Sequence, residues 1–246
     1  MNERDDLYQT REAHSADFRF DDAVARVFPD MIKRSVPGYA ETVAMSGIIA
    51  GRYARDNTRL YDLGCSLGAV TLAMRHGVRA RGCQVIGVDN SASMLERAAH
   101  YIALDDHSLA GDPVAVELLQ ADICSLTLDN ASVTALNYVL QFIVLDQRLE
   151  LLTRIAEATI PGGALILSEK ISFEVAEQPL QDALHWDFKR ANGYSEMEIA
   201  RKRTAIEDYL IPEREEVHRQ RLLAAGFSQV IRWYQCFNFV SFLAIR

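Results

Sequence analysis

The chain is poor in the residues that build metal sites and covalent staples. Its four cysteines, Cys65, Cys83, Cys124 and Cys236, are scattered with no C-x-x-C pair and no companion histidine spacing, so neither a zinc ribbon nor a disulfide framework is expected. The six histidines are equally dispersed and form no H-x-x-x-H or H-E-x-x-H helix pattern, and no metal is expected. There is no uninterrupted apolar run long enough to span a bilayer. The opening Met1-Asn2-Glu3-Arg4-Asp5-Asp6 has neither a basic n-region nor an apolar h-region, so a soluble cytoplasmic protein with no membrane partner is expected. Basic charge is also in deficit. With a net charge of -8 the composition argues against direct nucleic-acid binding, which draws its affinity mainly from Lys and Arg displacing counterions. No internal repeat or low-complexity tract interrupts the chain.

What is present is enough apolar material for a sizeable core, nearly half of 246 residues, and a single α/β domain over residues 1–246 is expected. Residues 1–19 are polar and aperiodic and read as a mobile N-terminal arm. Asp21 or Asp22 then caps a short helix that Pro29 is expected to end. Residues 34–39 form a turn, and apolar residues recur at helical spacing from Ala40 to about Tyr53, which places Tyr39 at the mouth of a helix.

The stretch Arg59-Leu60-Tyr61-Asp62-Leu63-Gly64-Cys65-Ser66-Leu67-Gly68 organises the rest. An apolar run closes on an acid, passes through a glycine-bracketed turn and opens into a helix, the layout of a nucleotide-binding first βα unit. Three features argue against a dinucleotide: the acid precedes the glycines, the third glycine of G-x-G-x-x-G is missing, and Ser66 stands where backbone would approach a pyrophosphate. The turn suits a nucleoside without phosphates. It resembles motif I of the S-adenosylmethionine (SAM)-dependent methyltransferases, with Ser66 in place of the middle glycine.

Later segments bear on that reading. Residues 83–89 form a second buried strand ending in Asp89, followed by Asn90 and a helix from Ser91 to His100. Asp89 lies about twenty residues beyond the glycine turn, where a carboxylate accepts both ribose hydroxyls. A strand-end carboxylate also caps helices, but two features at matching separation favour the nucleoside. A third strand at 114–120 leads to Asp122-Ile123, and a fourth at 131–137 ends in Asn137, at the carboxyl end where ligands lie in open α/β sheets. In methyltransferase-like folds the acidic-apolar pair flanks the adenine. A helix from Gln147 to Ala158 precedes a fifth strand at 164–169. Residues 174–214 break the repeating pattern as a polar helical insertion of roughly forty residues, longer than an ordinary connection. Inside it Ser195 and Glu198 make a capping box for a helix through Arg203. A helix from Glu213 to Ala225 then leads into a terminal antiparallel hairpin. The fold expected is thus Rossmann-like: a class I methyltransferase with a mostly parallel seven-stranded sheet and a helical insertion before the last strands.

Six segments together carry a more specific resemblance: Asp62-Leu63-Gly64-Cys65-Ser66-Leu67-Gly68, Val88-Asp89-Asn90-Ser91, Leu140-Gln141-Phe142, Leu167-Ser168-Glu169-Lys170, Phe188-Lys189-Arg190-Ala191-Asn192-Gly193-Tyr194-Ser195 and Gln235-Cys236-Phe237-Asn238-Phe239. From about Phe20 onward the chain resembles the bacterial carboxy-S-adenosyl-L-methionine synthases. That resemblance implies an enzyme that takes a carboxyl group from prephenate onto the methyl group of SAM, releasing phenylpyruvate, and needs no metal. It implies a product, carboxy-S-adenosyl-L-methionine, consumed by a separate enzyme that modifies wobble uridine in tRNA. It also implies that Tyr39, Gly64, Cys65, Ser66, Asp89, Asn90, Asp122, Ile123 and Asn137 contact the nucleoside and amino-acid parts of the ligand, and that Arg203 pairs with the new carboxylate. A planar guanidinium is well suited to that pairing. Without the resemblance, Arg203 reads as a solvated helix charge. No general base is evident; the family's chemistry is compatible with that, because hydroxide leaving prephenate takes the methyl proton. The insertion serves as lid, dimer contact or both, and a homodimer is expected. Two other readings stay open: a conventional small-molecule methyltransferase, and a protein that only binds SAM.

Overall fold

The computed structural model describes Arg4, Asp5, Leu7 and residues 21–108, 113–206 and 209–246, with the side chains of 202–203 and 205–206 excepted. The elements follow in the order α1 (Asp22–Ser35), α2 (Tyr39–Tyr53), β1 (Arg59–Leu63), α3 (Ala69–Gly77), β2 (Gln84–Asp89), α4 (Ala92–Ser108), β3 (Ala115–Gln120) and β4 (Ala131–Asn137). Then come α5 (Arg148–Ala158), β5 (Thr159–Ser172), α6 (Gln178–Ala191), α7 (Glu196–Ile206), β6 (Glu213–Arg214), α8 (Glu215–Ala224), β7 (Gln229–Cys236) and β8 (Phe239–Ile245).

The sheet runs β3-β2-β1-β4-β5-β8-β7, seven strands as expected, with the two-residue β6 as an eighth beside β5. Strands β1 to β5 are mutually parallel where they pair, and β8 lies antiparallel to both β5 and β7. The central strands read as continuous apolar runs because helices cover both faces. Leu63, Val88, Leu136 and Leu167 lie in one core cluster, and Leu60, Val85, Val133 and Ile166 in another. All eight are fully buried, and each such side chain contributes roughly 1.5–3 kcal/mol over exposure. Chain order reverses direction between β1 and β4, so the carboxyl ends of those strands frame a crevice at the switch point.

Three local expectations are corrected. First, α1 does not end at Pro29 but continues to Ser35. A mid-helix proline costs about 3 kcal/mol, and the far half is held by tertiary bonds that a local reading misses. Met31 is buried, while Arg34 donates from Nε to the Asn192 carbonyl at 2.7 Å and from Nη1 to Asp30 at 3.1 Å. Second, the helix expected from Glu213 begins at Glu215, because Glu213 and Arg214 pair with Ile171 and Ser172 as β6. Third, the helix after β2 runs on to Ser108, past the expected His100.

The capping box is present: the Ser195 backbone N–H donates to Glu198 Oε2 at 2.8 Å, and the Glu198 N–H donates to Ser195 Oγ at 3.3 Å. Most of the arm expected at 1–19 lies outside the described residues. Of those described, Asp5 is buried, donates its N–H to Asp30 at 2.8 Å and accepts a hydrogen bond from the Tyr194 hydroxyl. Arg34 stacks over the Tyr194 ring at 3.8 Å, which ties α1 to the loop between α6 and α7. Helices α2 and α3 touch backbone to backbone: a Cβ on Gly47 would stand 2.4 Å from the Ala73 carbonyl oxygen, and one on Gly77 would stand 1.9 Å from that of Gly47. No helix among the described residues is long and apolar enough to cross a membrane.

Candidate functional site

A cavity of about 330 Å³ opens over the carboxyl ends of β1, β2 and β4 and is roofed by α1 and α6. Its floor is the turn between β1 and α3. Gly64 sits at φ +78° with its N–H donating to the Val88 carbonyl at 2.7 Å, and a Cβ there would lie 2.5 Å from the Val139 side chain. Ser66 keeps the left-handed backbone of the glycine it replaces, at φ +50°, a conformation that is strained for a serine. What holds it there is Asp89. The carboxylate accepts from the Ser66 N–H through Oδ2 at 2.8 Å and from the Ser91 N–H through Oδ1 at 2.9 Å. Burial raises the Asp89 pKa against these bonds. The carboxylate thus braces the turn while still facing the cavity.

Nine expected ligand contacts line this one cavity: Tyr39, Gly64, Cys65, Ser66, Asp89, Asn90, Asp122, Ile123 and Asn137. Asp122 shapes its own corner, accepting the Cys124 N–H at 2.8 Å. Asn137 lines the cavity, and its Oδ1 is buried with no hydrogen-bond partner among the described residues, an acceptor left unsatisfied at the edge of the site. Burial pushes the Cys65 thiol and the Tyr39 hydroxyl well above their usual pKa, so both stay protonated at neutral pH. Arg203 lies on α7, but its side chain falls outside the described residues.

The cavity also recruits residues that were given no ligand contact in the sequence reading. Asp62 is buried and accepts from Thr71 Oγ1 at 2.6 Å; burial lifts its pKa to about 6. A row of rings crosses the site, with Tyr39 6.4 Å from Tyr138, Tyr138 edge-on to Phe239 at 5.8 Å, and Phe239 edge-on to His185 at 5.0 Å. His185 and Lys189 stand on α6, and Lys170 at the end of β5. The short turn Leu140–Phe142 supplies Gln141, whose Oε1 accepts the Lys170 N–H at 3.1 Å. Gln141, Lys170, Lys189 and Phe239 fall within four of the segments that carried the family resemblance, but only the fold brings them opposite the glycine turn.

That turn is fixed from behind. Glu169, fully buried, accepts the Leu140 N–H at 3.0 Å, and burial raises its pKa to about 8. Arg148, also fully buried, donates to the carbonyls of Ile143 at 2.8 Å, Gln141 at 3.1 Å and Ile211 at 3.0 Å, and pairs with Glu213. Burial opposes ionisation of Glu213, but bonds from Arg221 and Arg148 outweigh it and lower its pKa. One guanidinium therefore joins the cavity wall to the segment that returns from the insertion. Among the described residues no group of three or more His, Cys, Asp or Glu side chains is placed to hold a metal ion.

Comparison with known proteins matches residues 61–167 to the methyltransferase domain family model. A carboxy-S-adenosyl-L-methionine synthase of Marinobacter nauticus is 59% identical over 98% of this chain and 95% of its own length. The Pseudomonas aeruginosa protein of the same name is 53% identical over the full length of both. Among solved structures, a putative O-methyltransferase of Nostoc punctiforme aligns with a TM-score of 0.63 at 16% identity, covering 92% of this chain and 59% of that one. Human N-acetylserotonin methyltransferase in complex with SAM aligns with a TM-score of 0.59 at 17% identity, over 92% of this chain and 55% of its own. At these identities the structural likeness establishes the fold, a class I methyltransferase sheet closed by an antiparallel hairpin.

Proposed function

This chain belongs to the carboxy-S-adenosyl-L-methionine synthase family, and from that premise we propose that it converts SAM and prephenate to carboxy-S-adenosyl-L-methionine and phenylpyruvate. The observation that supports this reading is the convergence of the nine residues implied by the family resemblance on one cavity at the switch point of the sheet. Asp89 binds the ribose hydroxyls, Asp122 takes the exocyclic amine of adenine, and Ile123 covers the ring. The Asn137 amide oxygen accepts from the ligand. Tyr39 stays a neutral hydroxyl at the entrance to α2.

SAM enters as a substrate whose sulfonium acidifies its methyl group. Prephenate loses its ring carboxyl as carbon dioxide while hydroxide leaves the opposite ring carbon; the hydroxide takes a methyl proton to give water, and the methyl carbon bonds to the carbon dioxide. The chain's part is to hold both molecules and keep bulk water out. The row of Tyr39, Tyr138 and Phe239 supplies an apolar wall suited to that task. Arg203, arriving on α7, pairs with the carboxylate that is added. The product then serves a separate enzyme of wobble-uridine modification in tRNA. We assign the protein to the cytoplasm, as a homodimer, which light scattering tests; the insertion serves as lid, dimer contact or both.

Incubation with SAM and prephenate, followed by mass spectrometry of the nucleoside and assay of phenylpyruvate, tests the reaction. A carboxylated nucleoside with one equivalent of phenylpyruvate is the expected result. S-adenosylhomocysteine with a methylated acceptor would assign the cavity to ordinary methyl transfer instead.

A further inference from the structure

The ionisable groups lining the cavity are sorted by sign. Asp62, Asp89 and Asp122 stand at the ends of β1, β2 and β3, whereas Lys170, His185 and Lys189 come from β5 and α6. Among the described residues, no lining base sits among the acids, and no lining acid among the bases. Strands β2 and β5 are three steps apart in the sheet, so about 14 Å separates the two poles across the strand direction. Between them lies the aromatic row, ending where Phe239 meets His185.

The acidic pole suits hydroxyl, amine and sulfonium groups, which are donors or cations. An anion placed there would face three carboxyl groups. At the other pole, His185 and Lys189 are spaced i and i+4 and share one face of α6. The His185 ring is fixed, because the Ser35 carbonyl at 2.8 Å can only accept, so Nε2 donates to it. An anion drawn into a cavity with apolar walls needs charge partners, since desolvation without them costs several kcal/mol.

We propose that Lys170 and Lys189 form the subsite for the carboxylate groups of the second substrate, a ring-bearing dicarboxylate that packs its ring against Phe239 while its charges meet the two lysines, with His185 fixing α6 to Ser35 beside them. The proposal rests on the two-substrate reading given above. It assigns the bases of β5 and α6 to the donor of the carboxyl group, and leaves the product's new carboxylate to Arg203. Lysine fits this use because its ammonium is a point charge on a flexible stem, able to follow an anion as the reaction changes its shape.

The test uses Lys170→Gln and Lys189→Gln, with Lys170→Arg and Lys189→Arg as charge-keeping controls. SAM affinity, measured by calorimetry, should stay within about twofold of the parent and so reports correct folding. The KM for prephenate should rise at least tenfold in each glutamine variant, kcat should change much less, and the arginine variants should recover most of the loss. Phenylsuccinate, an unreactive ring-bearing dicarboxylate, serves as the second probe. The SAM-loaded parent should bind it, and both glutamine variants should bind it at least tenfold more weakly. Equal phenylsuccinate affinity in parent and variants, or no binding by the SAM-loaded parent, overturns the subsite. Failure of the parent to make a carboxylated nucleoside, with phenylsuccinate binding still lost in the variants, overturns prephenate as the donor and leaves the subsite standing.

Discussion

The two ends of the cavity are built in opposite ways. At the acidic end each brace is short in space and regular in sequence: Asp89 holds Ser66, 23 residues away, through a single carboxylate at 2.8 Å. At the basic end the braces join segments that share no motif. Arg148 reaches Ile211 across 63 residues, and Arg34 reaches Asn192 across 158. The first arrangement is specified by a βα unit and its spacing. The second exists only once the insertion has folded back over the sheet, so its integrity depends on buried charge rather than on turn geometry.

The hardest break in this contrast is Arg148→Met. It leaves the Ile143 and Ile211 carbonyls without their donor, the Gln141 carbonyl with the Ile211 N–H and Glu213 with Arg221 alone, and removing one partner of a buried pair typically costs about 3–5 kcal/mol. Chemical denaturation should record a loss of that size, and the variant should lose prephenate turnover before SAM binding. Asp89→Ala attacks the opposite end. Two charge-assisted bonds of about 1.5–3 kcal/mol each predict at least a hundredfold weaker SAM binding by calorimetry, with a smaller fall in melting temperature than Arg148→Met produces. If phenylsuccinate binding falls equally in Asp89→Ala, the two ends are not independent.

Two finer tests separate ligand contacts from scaffold. Arg203→Ala should weaken carboxy-S-adenosyl-L-methionine about tenfold more than SAM, the difference expected from one charge-assisted pair. Equal losses would remove Arg203 from the carboxylate. Glu169→Gln sharpens the role of the buried wall through pH. In the folded protein burial keeps this carboxyl protonated to about 8, against a reference value of 4.5. Between those values the folded state holds a proton that the unfolded chain has released, so this residue's contribution to stability declines as pH rises through the window and levels off above it. Glutamine imitates the protonated form while keeping the acceptor for Leu140. The melting temperature of the variant relative to the parent should therefore climb by about 5 °C between pH 5 and pH 8. A difference that does not vary with pH would mean the group is ionised in the folded state.

Legibility in the sequence follows the same division. Strands β1, β2 and β4, the Gly64–Gly68 turn, Asp89, Asp122 and Asn137 were readable because each lies within a few residues of a strand end whose periodicity announces it. The capping box at Ser195 was readable for the same reason. Pro29 misleads because a local breaker is overruled by Arg34, which besides Asp30 on its own helix bonds the Asn192 carbonyl 158 residues away. His185 carries no signal of its own on a polar helix, and Lys189, though inside a segment that carried the resemblance, gains a role only when α6 brings both to the cavity. Glu213 looked like the first turn of a helix; its pairing with β5 and its bond to Arg148 are tertiary facts.

The bare contact of Gly47 with Gly77 bears on the walls of the cavity. With no side chain between them to act as a bearing, α2 and α3 pack as one unit and run in the same direction, Gly47 against Ala73 and Gly51 against Gly77, so Tyr39 at the start of α2 and the Gly64–Gly68 turn before α3 stand at the same end and border the cavity together. The opposite wall is joined differently, for α1 meets α6 through single side-chain bonds, His185 to the Ser35 carbonyl and Arg34 to the Asn192 carbonyl, so the two walls of the cavity differ in stiffness.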